Sequence, residues 1–100
     1  MKTTVRQLKS LITEAVTIEQ AKTAVQDARW AERDAQFERS HADKPTEQRR
    51  ATVKMAKASK LLFKASKMFA QLGLAERAQE LQYDAESWGR EVEDRKSRGW

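Results

Sequence analysis

The sequence predicts an all-α protein, built as an antiparallel helical hairpin within a three-helix bundle. Two observations carry this prediction. Gly and Pro, the residues that most often interrupt helices, occur only three times and once in 100 residues. Apolar residues on both sides of Gly73 recur at spacings of three and four, which is the period of a helix face. We therefore expect helices at about 47–72 and 75–97, preceded by helix within 4–40.

The hairpin follows from two matching apolar seams on either side of Gly73. The first seam comprises Ala51, Met55, Ala58, Leu62, Ala65, Phe69 and Leu72. The second comprises Leu74, Ala78, Leu81, Ala85, Trp88 and Val92. Gly73 stands where a left-handed residue typically ends a helix. Thr46, directly after Pro45, is the expected N-cap of the first of these helices.

The N-terminal half admits two arrangements. A capping-box spacing that starts at Thr17 favours a short helix near 4–15 followed by a second helix near 18–40. One continuous helix fits equally well, because no Gly or Pro lies between the two segments. We expect a single helical domain over 1–100, in which 1–16 could also serve as a separate docking helix.

Trp30 and Phe37 form a second apolar side on the helix near 18–40. They lie seven residues apart, opposite a stripe of small apolar residues that includes Ala21, Ala28 and Ala35. A helix with apolar residues on two sides has two neighbours to contact. The second neighbour is either the helix near 4–15 or another protein chain.

The positive charge is concentrated in one segment. The net charge is +5, and residues 48–75 carry seven basic side chains and no acidic one. Lys54 lies beside the hairpin seam, level with Asp94, and we expect these two to pair. The other basic residues of the predicted stripe point away from the hairpin partner: Arg50, Lys57, Lys60, Lys64 and Lys67.

A basic helix face without acids has two interpretations. It can be a solvated surface, although such surfaces usually mix both signs of charge. It can also bind an anionic partner: an acidic protein or the phosphates of a nucleic acid, the latter without sequence preference because lysine dominates. A membrane surface is the least favoured partner, since the adjoining apolar face is committed to the hairpin.

Residues typical of catalysis or metal binding are scarce. The chain has no Cys and a single His, His41, near Asp43. It has no Gly-rich phosphate loop and no pair of His residues at ligand spacing. No apolar run approaches the roughly 18 residues that cross a bilayer. We expect a soluble, cytoplasmic, non-enzymatic protein without cofactor or metal.

The N-terminus carries two short motifs, Met1-Lys2-Thr3 and Ile12-Thr13-Glu14-Ala15. Together they resemble the capsid-targeting start of internal head proteins of large tailed phages, which opens with Met-Lys-Thr and carries an Ile-x-Glu-Ala element. The resemblance covers residues 1–16 and implies a phage origin, with a prohead protease cutting after Glu14. The chain departs from that pattern because positions 4–7 contain no aromatic residue.

These features predict a non-catalytic helical subunit that acts through its surfaces in a larger complex, such as a phage virion. It would then reside in the host cytoplasm or in the virion. The residues expected to contact a protein partner, or a second copy of the chain, are Trp30, Phe37 and the terminal Trp100. The alternative function is sequence-nonspecific nucleic-acid binding through the basic stripe.

Overall fold

The chain folds into three α-helices, and the computed structural model describes the backbone of residues 5–100 and the side chains of residues 18–100. The helices are α1 (Val5–His41), α2 (Pro45–Gln71) and α3 (Ala75–Ser97). The central helix α2 packs against both α1 and α3. The bundle is a rod of 66 × 18 × 17 Å, and residues 5–100 contain no β-strand.

Helix α1 is continuous, so the arrangement with two separate helices near 4–15 and 18–40 does not occur. It spans 37 residues, and Thr17 lies in its interior. A capping box alone does not end a helix when helix-forming residues continue on both sides of it. The docking helix proposed for 1–16 and the phage-like motifs fall outside the described side chains.

The hairpin of α2 and α3 is confirmed, and so is the role of Gly73. Its φ of +77° is left-handed, and the following backbone closes the end of α2. Leu74 donates its N–H to the carbonyl of Phe69 at 3.0 Å, and Gly73 donates to Ala70 at 3.1 Å. These two bonds are the Schellman pattern, which turns the chain back on itself within three residues.

Two details of the hairpin prediction were wrong. Thr46 does not cap α2, because the helix already begins at Pro45 and Lys44 occupies the cap position without a side-chain hydrogen bond. Proline suits the first helical position, since its fixed φ and missing N–H cost nothing there. Leu74 leaves the apolar seam: it occupies the cap position before α3 and is half exposed.

The core lies along the two predicted seams and is completed by α1. Met55, Leu62 and Leu81 are the largest fully buried side chains. From residue 18 onward, where its side chains are described, helix α1 contributes only small residues to the fully enclosed part of the core: Ala21, Ala24, Ala28 and Ala35. Small side chains let α1 lie close to α2, but they also limit the apolar area that holds it.

A row of hydroxyl groups, which the sequence analysis missed, joins α2 to α3. Ser59 and Ser66 are buried and donate to the carbonyls of Ala85 and Ala78 at 2.8 and 2.7 Å. Thr52, seven residues before Ser59, accepts a hydrogen bond from Arg95 at 3.0 Å. The signal was present as a repeat of basic residue, Ala and Ser or Thr, starting at 50, 57 and 64.

Two glycines provide a matched test of the hairpin geometry. Gly73→Ala places a Cβ at a left-handed φ and should lower the free energy of unfolding by about 1 kcal/mol. Gly89→Ala adds a Cβ 3.5 Å from Ser59 Oγ, an ordinary contact, and should raise it by up to about 1 kcal/mol through helix propensity. Urea denaturation measures both, and a stabilising Gly73→Ala would contradict this turn.

Candidate interaction surface

Trp30 and Phe37 are exposed to solvent on the side of α1 that faces away from the core. Each is 61% exposed. The guanidinium of Arg33 lies over the Trp30 ring at 5.4 Å, and Phe37 stacks on His41 with ring centroids 4.2 Å apart. Because α1 is one continuous helix, its own N-terminal segment cannot fold back over these rings. The described part of the chain therefore leaves both aromatic residues available to a partner.

His41 is the last residue of α1. Its Nδ1 lies 2.8 Å from the Phe37 carbonyl oxygen. This contact holds the imidazole against the Phe37 ring, at the end of a helix whose last carbonyls lack helical N–H partners. His41 thus supports the position of Phe37.

The two aromatic residues border an open groove between α1 and α2. The groove has a volume of about 840 Å³. Its wall on α1 is formed by Asp27, Trp30, Ala31, Arg33, Asp34 and Phe37, and its wall on α2 by Lys57 and Leu61. A second section of the groove, nearer the Gly73 turn, is bordered by Glu19 and Asp27 together with Lys64 and Met68. The α1 wall thus carries acidic residues and one cation, Arg33, whereas the α2 wall carries lysines.

The basic stripe of α2 is exposed along its whole length. Arg50, Lys57, Lys60, Lys64 and Lys67 are all accessible to solvent. None of them forms an ion pair with another of the side chains described in residues 18–100. The expectation that helix α3 does not reach them therefore agrees with the structure. Lys57 and Lys64 do lie near carboxylates, but these belong to α1 and stand across the groove.

The predicted pair between Lys54 and Asp94 is wrong. Lys54 Nζ lies 2.8 Å from Asp34 Oδ2 on α1, and Asp94 pairs with Arg98, the residue that directly follows α3. The hydrogen bond to Asp34, followed by the charge of that carboxylate, raises the pKa of Lys54. The prediction failed because only the hairpin partner was considered as the neighbour of α2.

Helices α1 and α3 are joined by polar side chains. Trp88 is buried between them and donates its indole N–H to Glu32 at 2.9 Å. Arg29 contacts Glu32 at 2.6 Å and Asp84 at 3.2 Å, and these bonds raise the pKa of its guanidinium. Arg39 binds Glu91 at 2.7 Å. These side chains connect α1 to α3 and do not occupy the groove face of α1.

Trp100 packs against its own chain. Its ring is half-buried under the guanidinium of Arg95 at 4.9 Å, and Arg98 lies 5.8 Å away on the same ring. Arg95 is itself buried and donates to Thr52 Oγ1 and to the carbonyl of Gln48. Its role is to connect the end of α3 to the start of α2. Sequence reasoning missed this role because its partners lie more than 40 positions away.

Neither a cluster of metal ligands nor a membrane-spanning helix is found among the described residues. Between residues 18 and 100, no three His, Asp or Glu side chains come together in a way that could hold a metal ion. Among the described helices, none is long and apolar enough to cross a membrane. Comparison with protein families, with curated proteins and with solved structures gave no significant match to the chain.

Proposed function

We propose that this chain is a small, non-catalytic helical subunit that works by binding another protein surface through the groove of α1 and α2. The observation that carries the proposal is the exposure of Trp30 and Phe37 beside Leu61. Large aromatic side chains are enriched where protein interfaces concentrate their binding energy. Covering these exposed apolar rings with a partner removes apolar surface from water, which lowers the free energy of the complex. The N-terminal resemblance supports a phage particle as the setting.

Site-specific photo-crosslinking tests this function in cells that express the full chain. A photoreactive phenylalanine analogue replaces Trp30 or Phe37, and Tyr83 on the outer side of α3 serves as the control position, being equally exposed. We expect covalent protein adducts from the two groove positions and far fewer from Tyr83. Strictly monomeric protein without adducts at Trp30 and Phe37 would overturn the proposal.

A second candidate function is binding to nucleic-acid phosphates through the basic stripe. Its support is the run of exposed cations along α2, from Arg50 to Lys67, without ion-pair partners among the described residues. Between Arg50 and Lys67 this run covers about 25 Å at 1.5 Å per residue, enough to follow several phosphates of a duplex. Lysine contacts of this kind would ignore base sequence.

The nucleic-acid function predicts strong salt dependence. A fluorescence-anisotropy titration of duplex DNA at two salt concentrations should show affinity that falls steeply with salt. Changing Lys57, Lys60, Lys64 and Lys67 to Gln should weaken binding by about tenfold or more, since each lost phosphate contact removes counterion release. Arg77→Gln together with Arg90→Gln, on α3, removes two positive charges outside the stripe and is the control. Binding that is insensitive to salt or to the lysine changes would exclude this function.

A further inference from the structure

The side of the molecule that faces away from α3 has two halves that differ in their side chains, one formed by α1 and the other by α2. The α1 half carries Trp30 and Phe37 with the carboxylates of Asp27 and Asp34 beside them. The α2 half carries lysines, and by helical register Val53 lies among them, 67% exposed. Two features that the sequence presented separately, the aromatic pair and the basic stripe, therefore belong to one continuous face.

We propose that this face binds a second copy of the same chain. The inference rests on the proposed function and names its partner. The two copies are related by a two-fold axis parallel to the helices, so that α1 of each copy lies over α2 of the other. The result is two stacked layers of two helices each, in which every contact occurs twice, as in any isologous interface.

Charge complementarity is the reason for choosing a second copy over an unrelated partner. A rotation about an axis parallel to the helices keeps each residue at its own height along the rod. Asp27 and Lys64 border the same section of the groove, so Asp27 of one copy comes over Lys64 of the other. Asp34 and Lys57 share the next section, but Asp34 already pairs with Lys54 of its own chain, so the contact of Asp27 with Lys64 carries the charge argument. This contact occurs on both sides of the axis.

The apolar groups of the face also find partners in this arrangement. Trp30 lies at the height of Leu61 and Lys57, so its ring would cover Leu61 and the methylene stem of Lys57 in the second copy. A lysine ammonium near a tryptophan face adds a cation–π attraction. The face from residue 19 to residue 37 of α1 is about 27 Å long and two helices, about 20 Å, wide. Such a face covers about 540 Å², less than the roughly 800 Å² per partner of a standard interface and in the range of weak, reversible association.

A pair of charge reversals tests the arrangement directly. Asp27→Lys places lysine against Lys64 of the second copy, and Lys64→Glu places glutamate against Asp27. Each single variant should raise the dimer dissociation constant by about tenfold or more in low salt, because two like-charge contacts replace two attractive ones. An equimolar mixture of the two variants restores an opposite-charge pair at both positions and should dimerise like the unmodified chain. Arg90→Glu on α3 is the control and should have no effect.

Sedimentation equilibrium measures these constants, and circular dichroism verifies that each variant is helical. Single variants that dimerise normally, or a mixture of folded variants that stays monomeric, would overturn the proposed geometry. Unmodified protein that remains monomeric at every concentration would overturn self-association itself. In that case adducts of Trp30 with a different protein would preserve the proposed function, whereas the absence of adducts would remove both. DNA that binds the monomer through Lys57 and Lys64 would equally count against the dimer.

Discussion

Trp88→Ala should lower the free energy of unfolding by about 3–5 kcal/mol, the usual cost of removing a buried tryptophan. Trp88 is 8% exposed and fills the space between α1 and α3. Its indole N–H binds Glu32, and Arg39 lies over its ring at 5.5 Å. Since the described side chains of α1 contribute only alanines to the fully enclosed core, the loss of this ring should release α1 before the hairpin of α2 and α3 unfolds.

Urea denaturation followed by circular dichroism measures the stability loss. Trp88→Phe keeps a large ring and removes the bond to Glu32, so it should cost much less than the alanine change. Tyr83→Ala, at an exposed position on the same helix, should stay within about 0.5 kcal/mol of the unmodified chain. If Trp88→Ala unfolds at the same urea concentration as Tyr83→Ala, the described contact of α1 with α3 does not stabilise the fold.

The double change Trp30→Ser with Phe37→Ser should weaken self-association by about 100-fold or more, as expected when central aromatic anchors are removed. The same change should alter folding stability by less than about 0.5 kcal/mol, because both rings lie outside the core. Loss of association without loss of stability separates an interface residue from a structural one.

Sedimentation equilibrium gives the association constant, and thermal unfolding at a concentration where the chain is monomeric gives the stability. Tyr83→Ser is the matched aromatic control on α3 and should leave both quantities unchanged. A double variant that associates like the control would show that the aromatic pair is not the interface. A double variant that is strongly destabilised as a monomer would show that the rings belong to the fold.

The hairpin could be predicted because its signals are local. Gly73 marks the turn, and the spacing of Leu62, Leu81 and their neighbours marks the faces that meet across it. The continuity of α1 was harder to predict, since the capping spacing at Thr17 competes with a sequence that favours helix throughout. A local capping pattern indicates where a helix terminus would be favourable. Whether the helix ends there depends on the residues on both sides of that position.

The ion pairs and hydrogen bonds between helices could not be predicted because they join distant parts of the chain. Lys54 binds Asp34 from α1, although reasoning from the hairpin placed it near Asp94. Arginine is usually exposed on protein surfaces, yet Arg95 is buried and donates hydrogen bonds to Gln48 and Thr52. Such contacts depend on the rotation of one helix about another, which periodicity leaves undetermined.

The sequence predicted the aromatic and the basic parts of the face of α1 and α2 separately, without their adjacency. Trp30 and Phe37 were expected on an outer side of one helix and the lysines on the outer side of another, and both expectations agree with the exposure in the structure. Their adjacency needed the packing of α1 on α2. That packing turns two separate surface features into one candidate interface with an acidic and a basic half.

The central claim is that this chain associates through the groove of α1 and α2, and the molar mass of the unmodified protein in solution tests it most directly. Sedimentation equilibrium over a range of protein concentrations should show a mass that rises from 11.5 kDa toward twice that value. Added salt should shift the rise to higher concentration, because the acidic and basic halves attract each other. A mass that stays at 11.5 kDa at the highest concentration would contradict self-association.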